Sequence, residues 1–407
     1  MHSNVDSINL QLQRLLAGTD RVETPAELAD RLAASKRSGR PLRVKYGIDA
    51  TGPEIHLGFA VGLRKLRQFQ DAGHVAVLIV GDFTAKIGDP SGRSKTRPQL
   101  TDDEVRNNMA RYQEQLFRIL DPDRCELRYN SEWAGTLTAA DVIRLASKYT
   151  VARTIERDDF RRRLSEGVPV HIHELLYPLF QGYDSVVVRA DVELGGADQY
   201  WNLLVGREMQ REFGQQPQIV MTVPLLIGTD GVQKMSKSHG NYIGIAEPPD
   251  EMFGKLMSIT DDMILDYFRL CTDRDETGIQ QVAARLRAGE NPRSIKAELA
   301  QEVVAKYHSA EAARQAAAEF DRVFRDRQAP ERIPEFVIPS SGMAIVELLV
   351  RAGLFSSKSE AKRKLQEGAV YLDDRRVQDA ALVVEVGDTP LVLKAGKRRF
   401  CRLVRGL

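Results

Sequence analysis

An alternation of apolar strands with amphipathic helices is the feature that most constrains the fold. Residues 42–48 predict a strand, and residues 57–72 predict a helix that stops at Gly73. Residues 75–80 then form a continuous apolar run, which is typical of a strand in a parallel sheet covered on both faces. We therefore predict an α/β fold, with a Rossmann-like doubly wound parallel sheet, over residues 35–230.

Local signals extend this pattern along the chain. Thr101 opens a capping-box sequence and predicts a helix, as does Thr138 with Asp141 three residues later. Apolar segments at 185–189 and 217–223 predict further strands. Helices and strands are thus expected to alternate through this whole region.

With 407 residues, the chain is too long for one compact core. Residues 249–325 have helical spacing and no convincing strand, and the proline-containing segments 328–334 and 338–342 predict a linker. Two helices and several short strands are expected after that linker. The predicted units are an N-terminal helical segment (1–34), the Rossmann-like domain (35–230), a basic loop with an α-helical domain (231–335) and a small α+β domain (342–407).

The net charge is close to zero but unevenly distributed. The chain has 58 Lys and Arg against 57 Asp and Glu, whereas residues 342–407 contain 13 Lys and Arg against 8 Asp and Glu. A small basic module after a linker suggests a nucleic-acid partner. On charge alone, a solvated surface that happens to be basic is the alternative.

Cysteine usage and hydropathy exclude several classes of protein. The three cysteines lie far apart without CxxC spacing, so neither a disulfide framework nor a cysteine zinc site is expected. The N-terminus lacks the pattern of a targeting segment, and the longest apolar run is too short to span a bilayer. We expect a cytoplasmic protein without a membrane partner.

Residues 49–59 combine a strand end with a helix start. This is where ligands bind at the carboxyl edge of a parallel sheet, and free N–H groups at a helix start favour phosphate. His56 can donate a hydrogen bond to phosphate, and Gly58 leaves room for a flat base. The alternative is a capped helix start with an incidental histidine.

A second candidate site is Lys234-Met235-Ser236-Lys237-Ser238, which lies between two glycines. Two lysines three residues apart on such a loop can close over a polyphosphate and neutralise its charge. Most lysine pairs in loops are simply solvated, and that remains the alternative here.

Together the two strings resemble the signatures of class I aminoacyl-tRNA synthetases, with HLGF in place of HIGH and KMSKS intact. Residues 81–93, 177–184 and 195–202 narrow the resemblance to the tyrosyl-tRNA synthetases. Residues 357–372 are similar to the S4-type RNA-binding module that bacterial members carry.

The resemblance implies a reaction and its partners. Members activate L-tyrosine with ATP to give tyrosyl-adenylate, and then esterify the 3′ end of tRNA(Tyr). It implies Mg²⁺ that accompanies ATP, no protein-bound metal, and a homodimer. The helical domain would read the anticodon. Because the first step is an in-line attack on the α-phosphate, positioning and charge stabilisation are expected to dominate.

The resemblance also implies roles for individual residues. The implied catalytic residues are Thr51, His56, Arg93, Arg97, Lys234, Lys237 and Ser238, with Lys95 as a weaker candidate. The implied ATP-binding residues are Asp49, Gly58, Gly196, Asp198 and Lys237. The implied tyrosine-binding residues are Lys45, Asp89, Tyr177, Gln181, Asp184 and Gln199. The implied RNA-binding residues are Lys358, Lys362, Arg363 and Lys364, with residues 397–399 as a second basic cluster.

Two departures from the family pattern stand out. Phe59 replaces the second histidine of the first signature, which removes a phosphate donor and is expected to slow activation modestly. Lys45 occupies the strand position where the better-known branch has a tyrosine. Two alternative identities remain: a tryptophanyl relative and a non-catalytic RNA-binding derivative. Gln181, Asp184 and the S4-like tail argue against the tryptophanyl relative.

Overall fold

The computed structural model describes most of the chain. The described ranges are 2–48, 54–88, 102–324, 333–339, 341–373, 375–387, 389–396 and 399–406. By its internal contacts the chain divides into two compact units, residues 1–310 and residues 311–407.

The first unit contains a six-stranded sheet in its described part. Its strands are β1 (Arg21–Val22), β2 (Arg43–Ile48), β3 (Val75–Val80), β4 (Cys125–Tyr129), β5 (Val192–Gly196) and β6 (Ile219–Val223). They lie in the order β1-β6-β5-β2-β3-β4, all parallel except β1, which is antiparallel to β6. The predicted doubly wound parallel sheet is confirmed.

Helices precede, separate and follow these strands in the chain, and the last of them, α15, falls almost wholly in the second unit. Those that precede β5 are α1 (His2–Leu16), α2 (Pro25–Ser38), α3 (Leu57–Asp71), α4 (Asp102–Leu116), α5 (Ser131–Ala134), α6 (Ala139–Ala146), α7 (Val151–Ile155), α8 (Asp158–Ser165) and α9 (Ile172–Val188). Those that follow it are α10 (Tyr200–Glu212), α11 (Pro249–Met257), α12 (Ile264–Cys271), α13 (Glu276–Arg287), α14 (Pro292–Tyr307) and α15 (Ala310–Phe324).

Several local predictions are confirmed. Strand β3 is buried from Ala76 to Val80, as expected for a parallel strand covered on both faces. Thr138 and Asp141 form a reciprocal capping box at the start of α6. Helix α4 begins at Asp102, although Thr101 itself lies outside the described residues.

Other predictions are wrong. Residues 185–189 are not a strand: α9 continues to Val188, because its buried face, with Phe180 and Val186, packs in the core beside β3 and α10. Three β-branched valines favoured a strand, and tertiary packing overrides that preference. Residues 1–34 do more than form polar helices, since β1 adds a strand to the sheet.

The second unit is α+β, as predicted for the C-terminal region. Its further elements are β7 (Glu335–Ile338), β8 (Met343–Ala344), α16 (Ile345–Arg351), α17 (Lys358–Gln366), β9 (Val370–Leu372), β10 (Arg375–Val377), β11 (Val383–Val384), β12 (Leu391–Ala395) and β13 (Arg399–Arg405). One sheet has the order β10-β9-β12-β13-β7, and β8 pairs with β11. Ile338 was expected in the linker. It instead ends β7, which is parallel to β13, and its side chain is buried in the core of this unit.

Candidate active site

The candidate site lies at the carboxyl ends of β2 and β5. From β2 the chain proceeds outward through β3 and β4 on one side, and then through β5 and β6 on the other. The strand order therefore reverses between β2 and β5, which is where ligands bind in open parallel sheets. Helix α3 begins after β2 and α10 begins after β5, so two helix N-termini face this crevice.

His56 caps the start of α3 as a neutral imidazole. Its Nδ1 atom accepts a hydrogen bond from the backbone N–H of Phe59 at 3.2 Å. Burial, with a smaller contribution from the charge of Lys237, lowers the pKa of His56 to about 4. Because Nδ1 is an acceptor, the proton of the neutral ring resides on Nε2, which is left as a hydrogen-bond donor.

The two signature segments are in direct contact. The N–H of Gly58 donates to Sδ of Met235 at 3.3 Å, and a Cβ on Gly58 would lie 3.2 Å from the Cβ of Met235. A backbone hydrogen bond from the N–H of Leu57 to the oxygen of Ile243, at 2.8 Å, lies nearby. A side chain at position 58 would therefore crowd the methionine, and the expected role of Gly58 in leaving room for a base stays a prediction.

In the KMSKS loop, residues 234–238, each lysine contacts a side chain from another part of the fold. The Nζ of Lys234 lies 2.5 Å from Oδ2 of Asp198, and Lys237 lies over the ring of Tyr112 at 5.3 Å. Burial lowers the pKa of Lys237 to about 8, and Glu54 opposes the shift. At pH 7 Lys237 is thus a cation held in a partly desolvated position, where its charge acts strongly on an anion.

Asn241, which the sequence reasoning missed, holds this loop. Its Oδ1 accepts from the N–H of Ser236 at 2.8 Å, and its Nδ2 donates to Oδ2 of Asp230 at 2.8 Å. Ser236 in turn accepts from the N–H of Ser238 at 3.3 Å. Asn241 is almost fully buried. An asparagine directly after the glycine that ends the loop was the available signal.

Helix α9 carries three of the predicted tyrosine-binding residues on one face. Tyr177, Gln181 and Asp184 follow the i, i+4, i+7 spacing of a single helical face, and Tyr177 and Asp184 are buried. Trp133 Nε1 donates to Oδ1 of Asp184 at 2.8 Å, and Asn130 Nδ2 donates to Oδ2 at 3.4 Å. Neither donor was singled out from the sequence.

The carboxyl group of Asp184 has a strongly shifted pKa. Burial raises the pKa to about 7, while the positive charge of Lys45 and the hydrogen bonds from Trp133 and Asn130 oppose the shift. Glu193 adds to it by repulsion. A titratable acceptor near neutral pH, in a buried position, is typical of a site that binds a polar ligand group.

Lys45 and Glu193 form a buried ion pair beside this helix. They are register partners on β2 and β5, and the Nζ–Oε1 distance is 2.8 Å with neither side chain exposed. The sequence reasoning noted Lys45 but missed Glu193. An acidic residue inside an otherwise apolar and glycine-containing strand was the available signal.

The loop after β5 brings together the remaining predicted residues. A Cβ on Gly196 would lie 2.8 Å from Oδ1 of Asp198, so glycine permits the close approach of this carboxylate. Gln199 accepts from Asn202 Nδ2 at 2.8 Å, which fixes its amide at the start of α10.

Several predicted residues lie outside the described part of the chain. These are Asp49, Thr51, Asp89, Arg93, Lys95, Arg97, Lys397 and Arg398. Their assigned roles stay predictions.

The predicted RNA-binding residues lie on α17 in the second unit. Lys358, Lys362 and Arg363 are exposed, and Lys364 is half-buried with its Nζ 2.6 Å from Glu367. Ala361 and Leu365 form the buried face of the helix. The cations are therefore presented outward by a helix that is anchored through its apolar side.

Within the described residues, no helix is long and apolar enough to cross a membrane. Nor does that part of the chain contain a group of three or more His, Cys, Asp or Glu side chains placed to hold a metal ion.

Comparisons with known proteins agree on one family. Residues 36–325 match the model of class I tRNA synthetases for tryptophan and tyrosine (W and Y), and residues 326–403 match the C-terminal domain of SYY-like tyrosine–tRNA ligases. The chain is 55% identical over 381 residues to the tyrosine–tRNA ligase of Thermotoga maritima, covering 93% of this chain and 94% of that protein. It is 51% identical over 386 residues to the corresponding ligase of Bordetella avium, covering 95% and 94%.

Solved structures show the same fold. A tyrosyl-tRNA synthetase from Archaeoglobus fulgidus complexed with L-tyrosine matches with a TM-score of 0.61 at 24% identity, covering 76% of this chain and 99% of that one. A C-terminally truncated mitochondrial tyrosyl-tRNA synthetase of Aspergillus nidulans matches with a TM-score of 0.63 at 21% identity, covering 77% and 93%.

Proposed function

The chain belongs to the class I tRNA synthetase family of tryptophan and tyrosine enzymes, and we propose how its own residues carry out the reaction of that family. It is an aminoacyl-tRNA synthetase of the tyrosine–tRNA ligase type, which uses ATP, L-tyrosine and tRNA. The enzyme activates tyrosine as tyrosyl-adenylate and transfers the tyrosyl group to the 3′ end of tRNA(Tyr). The tryptophanyl and non-catalytic alternatives are thereby set aside.

The leaving pyrophosphate is assigned to His56 and the KMSKS loop. Contact between Gly58 and Met235 is the observation that carries this assignment, because it holds the KMSKS loop against the helix start that His56 caps. In the proposal the Nε2–H of His56 donates to a phosphate oxygen, while Lys234, Lys237 and Ser238 neutralise the leaving group. Arg93, Arg97 and Thr51 remain predicted contributors.

The nucleoside is assigned to the loop after β5. Asp198 would accept from the ribose hydroxyl groups, with Gly196 allowing the backbone to approach and Gly58 lying beneath the nucleotide. In this structure the Asp198 carboxylate is ion-paired with Lys234. Asp49 is a further predicted ATP-binding residue. Mg²⁺ would accompany ATP as part of the substrate, since the described residues around the phosphates, His56 and Lys237, are not metal ligands of the kind that magnesium prefers.

Tyrosine is assigned to the face of α9. Asp184 would accept from the substrate phenol at one end, and Tyr177 with the predicted Asp89 would bind the α-ammonium group at the other. Gln181 lies between them and Gln199 approaches from α10. When phenylalanine enters such a site, Asp184 is left without the phenol donor. An unpaired buried acceptor costs free energy, so the site would bind tyrosine in preference to phenylalanine.

The tRNA, the dimer and the cellular location complete the proposal. Exposed cations on α17 would contact phosphates, which positions the RNA without reading its sequence. Consecutive helices α6–α9 expose apolar side chains, a feature that supports a homodimer interface there; these side chains are Ile143, Val151, Leu164 and Ile172. A reaction that consumes ATP and tRNA supports the cytoplasm as its location.

Pyrophosphate exchange tests the proposal directly. The purified enzyme is expected to exchange labelled pyrophosphate into ATP with tyrosine, and not with tryptophan or phenylalanine at the same concentration. Lys237→Ala and His56→Ala are expected to lower kcat for exchange at least about tenfold with little change in the KM for tyrosine. A tryptophan preference would contradict the substrate assignment, and unchanged kcat values would contradict the residue roles.

A further inference from the structure

Glu193 is the acidic residue of a strand whose other residues are Val, Leu and Gly. It faces Lys45 in the register of β2 and β5, and both side chains are fully buried. Burying two charges is unfavourable unless they are paired and hydrogen-bonded, and a hydrophobic pair of similar size is often at least as stable. The stability of the fold therefore does not explain why this buried pair is charged.

The Lys45 ammonium group has its three N–H groups occupied. It donates to the carboxyl Oε1 of Glu193 at 2.8 Å, to the backbone oxygen of Gln181 at 2.9 Å and to Oγ of Ser185 at 2.8 Å. An ammonium group has three donors. In this arrangement no N–H is left to reach a substrate oxygen, so Lys45 acts on the tyrosine site through its neighbours.

The Glu193 carboxylate gathers several donors from separate elements. Besides Lys45, its Oε1 accepts from Nε2 of Gln181 at 2.7 Å, and its Oε2 accepts from Oγ of Ser185 at 3.0 Å. Gln218 Nε2 also donates to Oε2. The carboxylate thus joins β2, α9 and the segment that leads into β6.

The Glu193 carboxylate determines the orientation of the Gln181 side-chain amide. An ionised carboxylate only accepts hydrogen bonds, so the amide nitrogen must face Glu193 and the amide oxygen must face away. That Oε1 is buried and has no hydrogen-bond partner among the described residues. A buried acceptor left open in this way is prepared for a donor that the ligand brings.

The position of Gln181 indicates which donor. It lies one helical turn after Tyr177 and one turn before Asp184, at the middle of the tyrosine-binding face of α9. Bound tyrosine has two donors, its phenol and its α-ammonium group, and Asp184 is assigned to the phenol. The free oxygen of Gln181 therefore matches the α-ammonium group.

We propose that Glu193 is a positioning residue for tyrosine: with Lys45, it fixes the Gln181 amide so that Oε1 accepts from the substrate ammonium group. The inference rests on the proposed function, because it uses the assignment of the α9 face to tyrosine. Glu193 itself touches no substrate in this scheme.

Steady-state pyrophosphate exchange with the full-length enzyme tests the role of Glu193. Glu193→Gln is expected to raise the KM for tyrosine at least about tenfold while the KM for ATP stays within about twofold. The inhibition constant of 3-(4-hydroxyphenyl)propionate, which lacks the ammonium group, is expected to stay within about twofold of the parent value. The matched control is Asp191→Asn, which removes a carboxylate that lies just before the same strand and is ion-paired to Arg40.

A second variant separates positioning from folding. Lys45→Met combined with Glu193→Leu removes both buried charges and is expected to restore thermal stability, yet to keep the KM for tyrosine raised. If this double variant has the parent KM for tyrosine, Glu193 only neutralises Lys45 and the proposal is overturned. Equal weakening of the deaminated analogue would overturn it too. Absence of tyrosine-dependent exchange in the parent enzyme would instead contradict the proposed function.

Discussion

The Nζ atom of Lys234 lies 2.5 Å from Oδ2 of Asp198, so the first lysine of the KMSKS loop is ion-paired with the carboxylate assigned to the ATP ribose. Both side chains are partly exposed, at 43% and 25%. The pair therefore stabilises this arrangement weakly, by about 1 kcal/mol or less. We therefore expect ATP to displace the lysine from Asp198 and release it toward the phosphates.

Lys234→Met should separate the two roles of this lysine. We expect kcat for pyrophosphate exchange to fall at least about tenfold, because a charge that faces the leaving group is lost. The KM for ATP should fall by up to about fivefold, because Asp198 no longer has a competing partner. Exchange kinetics at varied ATP concentration measure both. A raised KM for ATP with an unchanged kcat would contradict the competition.

Tyrosine binding should depend on pH through Asp184. Its pKa is raised to about 7 by burial, so the carboxyl group changes from neutral to ionised near pH 7. The other groups that face it are Lys45, Glu193, Trp133 and Asn130. We expect the dissociation constant for tyrosine to decrease from pH 6 to pH 8, since the ionised form is the better acceptor for the phenol. Calorimetric titration measures this, and Asp184→Asn should abolish the dependence.

The same shift has a consequence for the stability of the ligand-free enzyme. Unfolded, this carboxyl group has a pKa near its ordinary value of 3.8, whereas folded it has a pKa of about 7. Between these values the folded chain binds more protons, so the contribution of Asp184 to the free energy of unfolding decreases as pH rises through that window. Comparing denaturant unfolding of parent and Asp184→Asn at pH 5 and pH 8 isolates the effect. A larger contribution at pH 8 would refute it.

Asn241→Ala should impair the KMSKS loop more than the fold. Its hydrogen bonds to Ser236, to Asp230 and to the backbone oxygens of residues 233 and 234 are lost, and the half-buried N–H of Ser236 is left without that acceptor. We expect kcat for exchange to fall about tenfold and the free energy of unfolding to fall by about 1–3 kcal/mol. Asp230→Asn alters the contact between Asn241 and Asp230 and keeps an oxygen that can accept from the N–H groups of residues 232 and 233, so it serves as the milder control.

Phe59→His tests the departure in the first signature. The ring of Phe59 lies between those of Tyr46 and Tyr112, at 5.5 and 6.2 Å between centroids in edge-to-face arrangements. The substitution should raise the exchange rate a few-fold by adding a phosphate donor, and should cost about 1 kcal/mol of stability through weaker ring contacts. An unchanged exchange rate would refute the idea that Phe59 slows activation.

Removing the part of the chain that follows α15 should separate activation from charging. A cut at residue 342, where the predicted small domain begins, would separate β7 from its partner β13, so the cut is placed after α15, at residue 325. Deletion of residues 325–407 is expected to weaken tRNA charging and leave tyrosine-dependent exchange close to that of the full chain. Charging by the full enzyme should also fall steeply with added salt, as phosphate contacts require. Equal loss of exchange and charging would contradict this division.

The elements that the sequence predicted well have a local cause. Strand β3 is apolar throughout, and the helix start at Thr138 satisfies its own N–H groups through Asp141. Strand β5 escaped prediction because Gly195 and Gly196 lower strand preference and Glu193 interrupts the apolar pattern. Its pairing with β2 and β6 supplies the stability that local sequence lacks.

The site shows the same division between local and distant causes. His56 and Lys237 could be identified because their chemistry resides in short strings of sequence. Glu193 and Asn241 were missed because each leaves only a weak local signal, and their importance arises when the folded chain brings each to residues on other elements, as with Lys45 across the sheet. Residues that orient others leave little trace in their own neighbourhood of the sequence.

The short strand β1 has a consequence for the order of events during synthesis. Its residue Arg21 pairs with Thr222, roughly 200 residues later. At bacterial elongation speeds the ribosome needs about 10–40 s to cover that distance. The first strand of the sheet to be synthesised can therefore pair only after the last one, β6, has been made. Until then the edge of β6 has no partner strand. Changes at the extreme N-terminus should accordingly reduce the yield of folded enzyme before they alter its chemistry.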